Sequence, residues 1–301
     1  MKMNTKHKVF TIVGAVIVIA VIAILAAMLV PTFGDSSKVG DSNGKEVELV
    51  MFMGQSNMAG RGVAADAIRV SKGHGYEFRA ISDPTKLYPV IEPFGVNENN
   101  YDSDVAEVTK TGSMVSAFIE EYYTHRQVPI VAVSCSKGGT GLSFWAPNGN
   151  ALNDAIARHD AAKNWLEANG YTIKNDFMVW CQGETDGGQG VSASDYSAGL
   201  KAIIEEMISK TSVKFCAVVR IGNARNNPDR HADIIKAQTE LCRSYDNAVL
   251  VSTKLAGFGA DKMKDDYHFL QSAYNEVGAD AGKNTAIYIN TGKEPLKNTV
   301  N

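Results

Sequence analysis

Five short apolar runs constrain the fold more than any other feature of this chain. They occupy residues 47–53, 129–135, 176–182, 213–220 and 248–252. Each is too short for a helix and too continuously apolar for a strand with one wet face, the pattern of strands covered on both sides. Between them lie segments with apolar residues at helical spacing. Residues 113–125 put Met114, Val115, Phe118, Ile119 and Tyr122 on one face, and 194–210 do the same with Leu200, Ile203, Ile204, Met207 and Ile208. Residues 151–169, 230–245 and 271–284 also read as helices. Strands alternating with helices predict an α/β domain with a parallel sheet covered on both faces. In such sheets ligands bind beyond the carboxyl ends of the strands.

The N-terminal part reads differently. Residues 9–30 carry no charge and are almost wholly aliphatic, and Lys2, Lys6 and Lys8 precede them. A bilayer-spanning helix needs roughly 20 apolar residues, and flanking lysines favour a cytoplasmic N-terminus. The expectation is a signal anchor or signal peptide over 1–31. A Gly/Ser/Asp-rich linker follows over 32–45, then one domain over 46–290 and a tail over 291–301. The domain then lies outside the cell, tethered by a single pass or secreted. With 45% hydrophobic and 21% charged residues and a net charge of -3, the chain has an ordinary globular balance, and no basic block points to nucleic acid. Cys135, Cys181, Cys216 and Cys242 include no Cys-x-x-Cys pair, and strand-like surroundings suit free thiols.

Chemistry-bearing residues gather at the strand ends. Gly54-Gln55-Ser56-Asn57 follows the first run, and "SKGGTGLSFW" follows the second. Gln182-Gly183-Glu184 follows the third, and "DDYH" ends at His268 just before the last helix. A serine hydroxyl becomes a nucleophile when a base takes its proton. Histidine suits that task near neutral pH, and a carboxylate holds the ring and stabilises its cation. Asp265 lies three residues before His268, so one turn can supply both groups; Asp266 is the neighbouring alternative. The N–H groups of Ser56 and Gly139 and the Gln182 amide are candidate donors to an oxyanion. Glu184 is a candidate to orient His268 or stiffen Gln182. Trp145 is a candidate sugar-stacking residue. The polar stretches 73–108, with Tyr76, Tyr88 and Tyr101, and 222–231 read as substrate-selecting loops. The six histidines show no metal-ligand spacing such as His-Glu-x-x-His, so no metal or other cofactor is expected.

"GQSNMAGRG", "GGTGLSFW", "WCQGETD" and "DDYHF" together resemble the SGNH/GDSL-like hydrolases. They are most similar to the branch containing sialate O-acetylesterases and the carbohydrate esterase family 6 acetylxylan esterases. The resemblance runs from about residue 47 to 282. It implies a flavodoxin-like three-layer α/β/α sandwich and a serine esterase that removes acetyl groups from sugar hydroxyls. By the same resemblance Ser56 is the nucleophile, His268 the base and Asp265 its orienting acid. Ser56, Gly139 and Gln182 then form the oxyanion hole, Gln standing where the wider superfamily has Asn. A tethered carbohydrate-binding module without turnover, and a lipase or thioesterase of the same superfamily, are the competing readings.

Overall fold

The computed structural model describes residues 45–297. The apolar run and the linker up to residue 44 therefore lie outside the described residues, as does the end of the tail. Among the described residues no helix is long and apolar enough to cross a membrane.

Seven strands form one sheet: β1 (Lys45–Gly54), β2 (Gly75–Arg79), β3 (Asp83–Pro89), β4 (Ile130–Ser136), β5 (Tyr171–Cys181), β6 (Cys216–Val219) and β7 (Ala248–Ser252). Their order is β3-β2-β4-β1-β5-β6-β7. All neighbours run parallel except the edge pair β2–β3. The five expected runs are the five strands β1, β4, β5, β6 and β7. The edge hairpin is a correction, since residues 73–108 read as irregular. Strand β3 carries Pro84 and has no buried residue, so it lacks the apolar signature of a central strand.

Five helices exceed ten residues among those described: α1 (Val115–Arg126), α2 (Asn150–Ala168), α3 (Ala193–Lys210), α4 (Ala232–Ser244) and α5 (Gln271–Thr291). Side chains alternate across a strand, and β1 feeds two cores accordingly. Leu49, Met51 and Met53 join the apolar faces of α2, α3 and α4. Val50 and Phe52 join those of α1 and α5. The result is the expected three-layer sandwich.

The order around β1 positions the site. After β1 the chain adds β2, β3 and β4 on one side, then crosses to β5 on the other. The loops after β1, β4 and β5 therefore part at one point, leaving a crevice at the carboxyl edge of β1. Backbone contact pulls their ends together. Gly54 pairs with Ser136 of β4 and Cys181 of β5, and the Lys137 N–H donates to the Gly54 carbonyl at 3.0 Å. Gly54 has φ +136°, and a Cβ there would lie 2.1 Å from the Cys181 carbonyl oxygen, so only glycine fits.

Candidate active site

The turn that follows β1 is a single helical turn, Ser56–Ala59. The first N–H groups of a helical turn have no partner within it. Ser56 itself is 5% exposed. Its Oγ lies 2.9 Å from His268 Nε2.

His268 sits in a tight loop closed by a bridge between Met263 and Phe269. The Asp265 side chain organises that loop. Its Oδ1 accepts from the N–H groups of Tyr267 and His268, both at 2.9 Å, and its Oδ2 lies 2.8 Å from His268 Nδ1. Asp side chains that cap their own turn in this way fix its backbone. Partial burial disfavours the Asp265 anion, but the Tyr267 N–H and the two His268 contacts outweigh it and lower its pKa. Asp266 points elsewhere, accepting from Asn226 Nδ2.

These groups face one cleft of about 410 Å³, whose walls include Gln55, Ser56, Arg61, Gly139, Glu184 and His268. Gly139 is exposed at the cleft rim with φ +73° and open space around its Cα. The carboxylate of Glu107 steadies that rim. It accepts from the Gly138 N–H at 2.6 Å and from Arg61 Nη2 at 2.8 Å, joining the rim to the segment that carries the serine. Burial disfavours the Glu107 anion, but hydrogen bonds from Thr109, Arg61 and Gly138 outweigh it and lower its pKa to about 2.

Three sequence expectations need correction. Gln182 is completely buried beneath the cleft floor. Its Nε2 donates to the Thr140 carbonyl at 2.9 Å and to the Asp186 carboxylate, so its amide hydrogens are already taken. Trp145 is also fully buried, packing edge-on against Trp180 with Nε1 donating to Thr140 Oγ1, and offers no face to a sugar. Glu184 lines the cleft but is hydrogen-bonded neither to His268 nor to Gln182. Its Oε1 accepts from Asn57 Nδ2 at 2.5 Å. Burial pushes the Glu184 carboxyl up to about 7, against the opposing hydrogen bond from Asn57.

Asn57 was not singled out from the sequence. Besides Glu184, its Nδ2 donates to the Tyr267 carbonyl at 3.1 Å, and its Oδ1 accepts from Tyr274 at 2.6 Å. The residue after Ser56 thus ties the serine turn to the histidine loop. Its place in "GQSN" was the available signal, but partners 127 to 217 residues away are invisible in sequence. Arg230 also lines the cleft; it lies in the 222–231 stretch expected to select substrate, where no single residue stood out. All four cysteines are buried free thiols, and no cluster of His, Cys, Asp and Glu suited to a metal occurs among the described residues.

Comparison with solved structures supports the fold. A protein from Arabidopsis thaliana is similar with a TM-score of 0.62 at 18% identity, over 83% of this chain and 99% of that one. NanS is similar with a TM-score of 0.58 at 12% identity, over 83% and 99%. A carbohydrate acetylesterase from Xanthomonas citri is similar with a TM-score of 0.54 at 16% identity, over 83% and 58%. No curated protein matches the sequence. The family described as "carbohydrate esterase, sialic acid-specific acetylesterase" matches residues 46–286, nearly all of the described chain. On that match the chain belongs to this family of carbohydrate acetylesterases and is a serine esterase.

Proposed function

We propose that the protein is an O-acetylesterase acting on an acetylated, carboxylate-bearing sugar through an acyl-enzyme on Ser56. The observation that carries this reading is the 2.9 Å contact between Ser56 Oγ and His268 Nε2 inside the cleft. His268 takes the hydroxyl proton as Ser56 attacks the acetyl carbonyl, then returns it to the departing sugar hydroxyl. Asp265 holds the ring and stabilises the imidazolium. Water then attacks the acetyl-serine by the reverse proton relay and releases acetate. The N–H groups of Ser56 and Gly139 receive the negative charge that develops on the carbonyl oxygen.

Arg230 favours the acidic sugar. Its guanidinium lies 5.4 Å over the Tyr267 ring at the cleft wall and forms no ion pair with a carboxylate among the described residues. A planar cation on an aromatic face suits a substrate carboxylate. The lysine-flanked apolar run at 9–30 supports delivery of the domain outside the cell, which protease accessibility on intact cells would check.

The test is acetate release from acetylated xylan, acetylated monosaccharides and O-acetylated sialic acid, side by side. Ser56→Ala should abolish release from every substrate that is turned over, and Arg230→Gln should raise KM about tenfold for the acidic substrate alone. Release that survives Ser56→Ala would refute the serine mechanism. Preference for neutral xylan, with no effect of Arg230→Gln, would refute the acidic substrate.

A further inference from the structure

A second cavity, of about 490 Å³, adjoins the catalytic cleft. Arg220 lines it, immediately after β6 and so at the same edge of the sheet as Ser56. Helix α4 supplies one wall with Ile235, Lys236, Thr239, Glu240 and Arg243, residues whose spacing makes one helical face. The short turn Pro228–His231 separates the two cavities. Its Pro228 and Asp229 line this one, and its Arg230 lines the catalytic cleft.

The Arg220 guanidinium has no counter-charge. Its Nη1 donates to Thr239 Oγ1 at 2.9 Å. Its Nε is sealed from solvent with no acceptor. Its Nη2 has no acceptor among the described residues and is not one of the sealed atoms, so it remains open. Neither Arg220 nor Arg243 forms an ion pair among the described residues. Burial lowers the Arg220 pKa, and the charge of Arg243 adds to that effect. Partly buried cations are normally met by an acceptor or an opposite charge. An unmatched guanidinium at a cavity wall therefore marks a place for an anion.

Charge and size narrow the class of anion. Arg220, Lys236 and Arg243 face the carboxylates of Asp229 and Glu240, which leaves one positive charge in excess. The Lys236–Glu240 pair, at 3.9 Å between exposed side chains, neutralises itself. A monoanion cancels the excess, whereas a phosphate dianion overshoots it and meets two carboxylates. The volume matches a small organic ligand and leaves an inorganic ion mostly unpacked. Pro228 and Ile235 offer apolar contact to ring C–H groups, and Asn223, Asp229 and Glu240 offer acceptors for hydroxyls.

We propose that this cavity is a second carbohydrate site that binds an acidic sugar unit, with Arg220 Nη2 and Arg243 holding its carboxylate. Binding here involves no turnover, so the inference does not rest on the esterase reading. The sugar can be a free acidic monosaccharide or a further unit of an acidic glycan, since both present the same carboxylate.

Isothermal titration calorimetry of the full-length Arg230→Gln protein at low ionic strength tests the site. That substitution removes the open guanidinium of the catalytic cleft. Galacturonic acid is the probe, with galactose and inorganic phosphate for comparison. Galacturonate should bind with a roughly millimolar Kd, at least about tenfold more tightly than either comparison ligand. Adding Arg243→Gln or Arg220→Gln should raise that Kd about tenfold, the effect of losing one hydrogen bond to a charged group. Arg243 is exposed and makes no hydrogen bond or ion pair among the described residues, so its variant decides if Arg220→Gln fails to fold. Absence of galacturonate binding, or a Kd that ignores Arg243→Gln, overturns the proposal. Phosphate bound as tightly as galacturonate refutes a sugar site. With Arg230 restored, a galacturonic acid trimer distinguishes the two sources. A trimer that binds more than about tenfold tighter than the monomer, and loses the gain in Arg243→Gln, assigns the cavity to a further glycan unit. Equal affinities, both weakened by Arg243→Gln, assign it to a free acidic sugar.

Discussion

At the scale of single residues, the site is held by buried polar groups that touch one another more than they touch solvent. Asn57 is completely buried, and its amide makes bonds to Glu184, Tyr267 and Tyr274. Glu184 contributes one oxygen to this arrangement, while its Oε2 is buried without a partner. Burial therefore favours the neutral carboxyl, and its pKa rises to about 7. In the unfolded chain a glutamate ionises near pH 4.3. Between these two values the folded state holds a proton that the unfolded state has released. Stability from this group is fully present below about pH 4.3 and is lost as pH rises through about 7, by an amount on the order of 3 kcal/mol. Glu184→Gln keeps an oxygen for Asn57 and cannot titrate. Urea unfolding between pH 4 and 8 should show the Gln variant losing less stability with rising pH than wild type; parallel curves would contradict the assignment.

At the scale of elements, glycine decides how closely two pieces of backbone approach. Helices α1 and α5 cross with Gly278 and Gly282 at their contact. A Cβ on Gly278 would lie 2.2 Å from the Met114 carbonyl oxygen, and one on Gly282 would lie 2.2 Å from that of Phe118. Such overlap requires the helices to separate. Gly278→Ala should cost about 1–3 kcal/mol, the usual range for overpacking. Gly257→Ala, where a Cβ meets open space, should stay within about 0.5 kcal/mol of wild type. Denaturant midpoints of the two variants check this, and equal midpoints would mean that the crossing yields without cost. The same close approach at Gly54 keeps β1 against β5 and so sets where Ser56 emerges.

At the scale of the whole molecule, two cores share one sheet. Met51 and Phe52 are neighbours on β1, yet each belongs to a different core. Met51→Ala should cost about 2–5 kcal/mol and Phe52→Ala about 3–5 kcal/mol. Because both cores pull on the same strands, each variant should shift one common unfolding transition. Separate transitions for the two faces, seen by tryptophan fluorescence and circular dichroism, would show that the layers fold independently. The shared strand also explains the location of chemistry. Crossing from one side of β1 to the other opens a crevice at its end, and the loops carrying Gly139 and Glu184 border it from opposite sides.

The order of residues alone determined the layered α/β architecture. Continuous apolar runs and helical spacing are local signals, and burial on both faces leaves a strand no other composition. It also brought Ser56, His268 and the Asp265–Asp266 pair forward as one candidate group, because the strand-end rule and the short Asp-to-His spacing are legible along the chain; the contact of Asp265 with His268 Nδ1 is tertiary. The edge hairpin was not legible, since β3 buries no residue and bears a proline. Nor could the sequence separate Gln55 from Gln182. Both glutamines end a strand beside small residues, and both carry the same amide. Only the tertiary structure decided which amide meets protein acceptors and which faces the cleft, because hydrogen bonding of a buried polar group depends on partners supplied by distant parts of the chain.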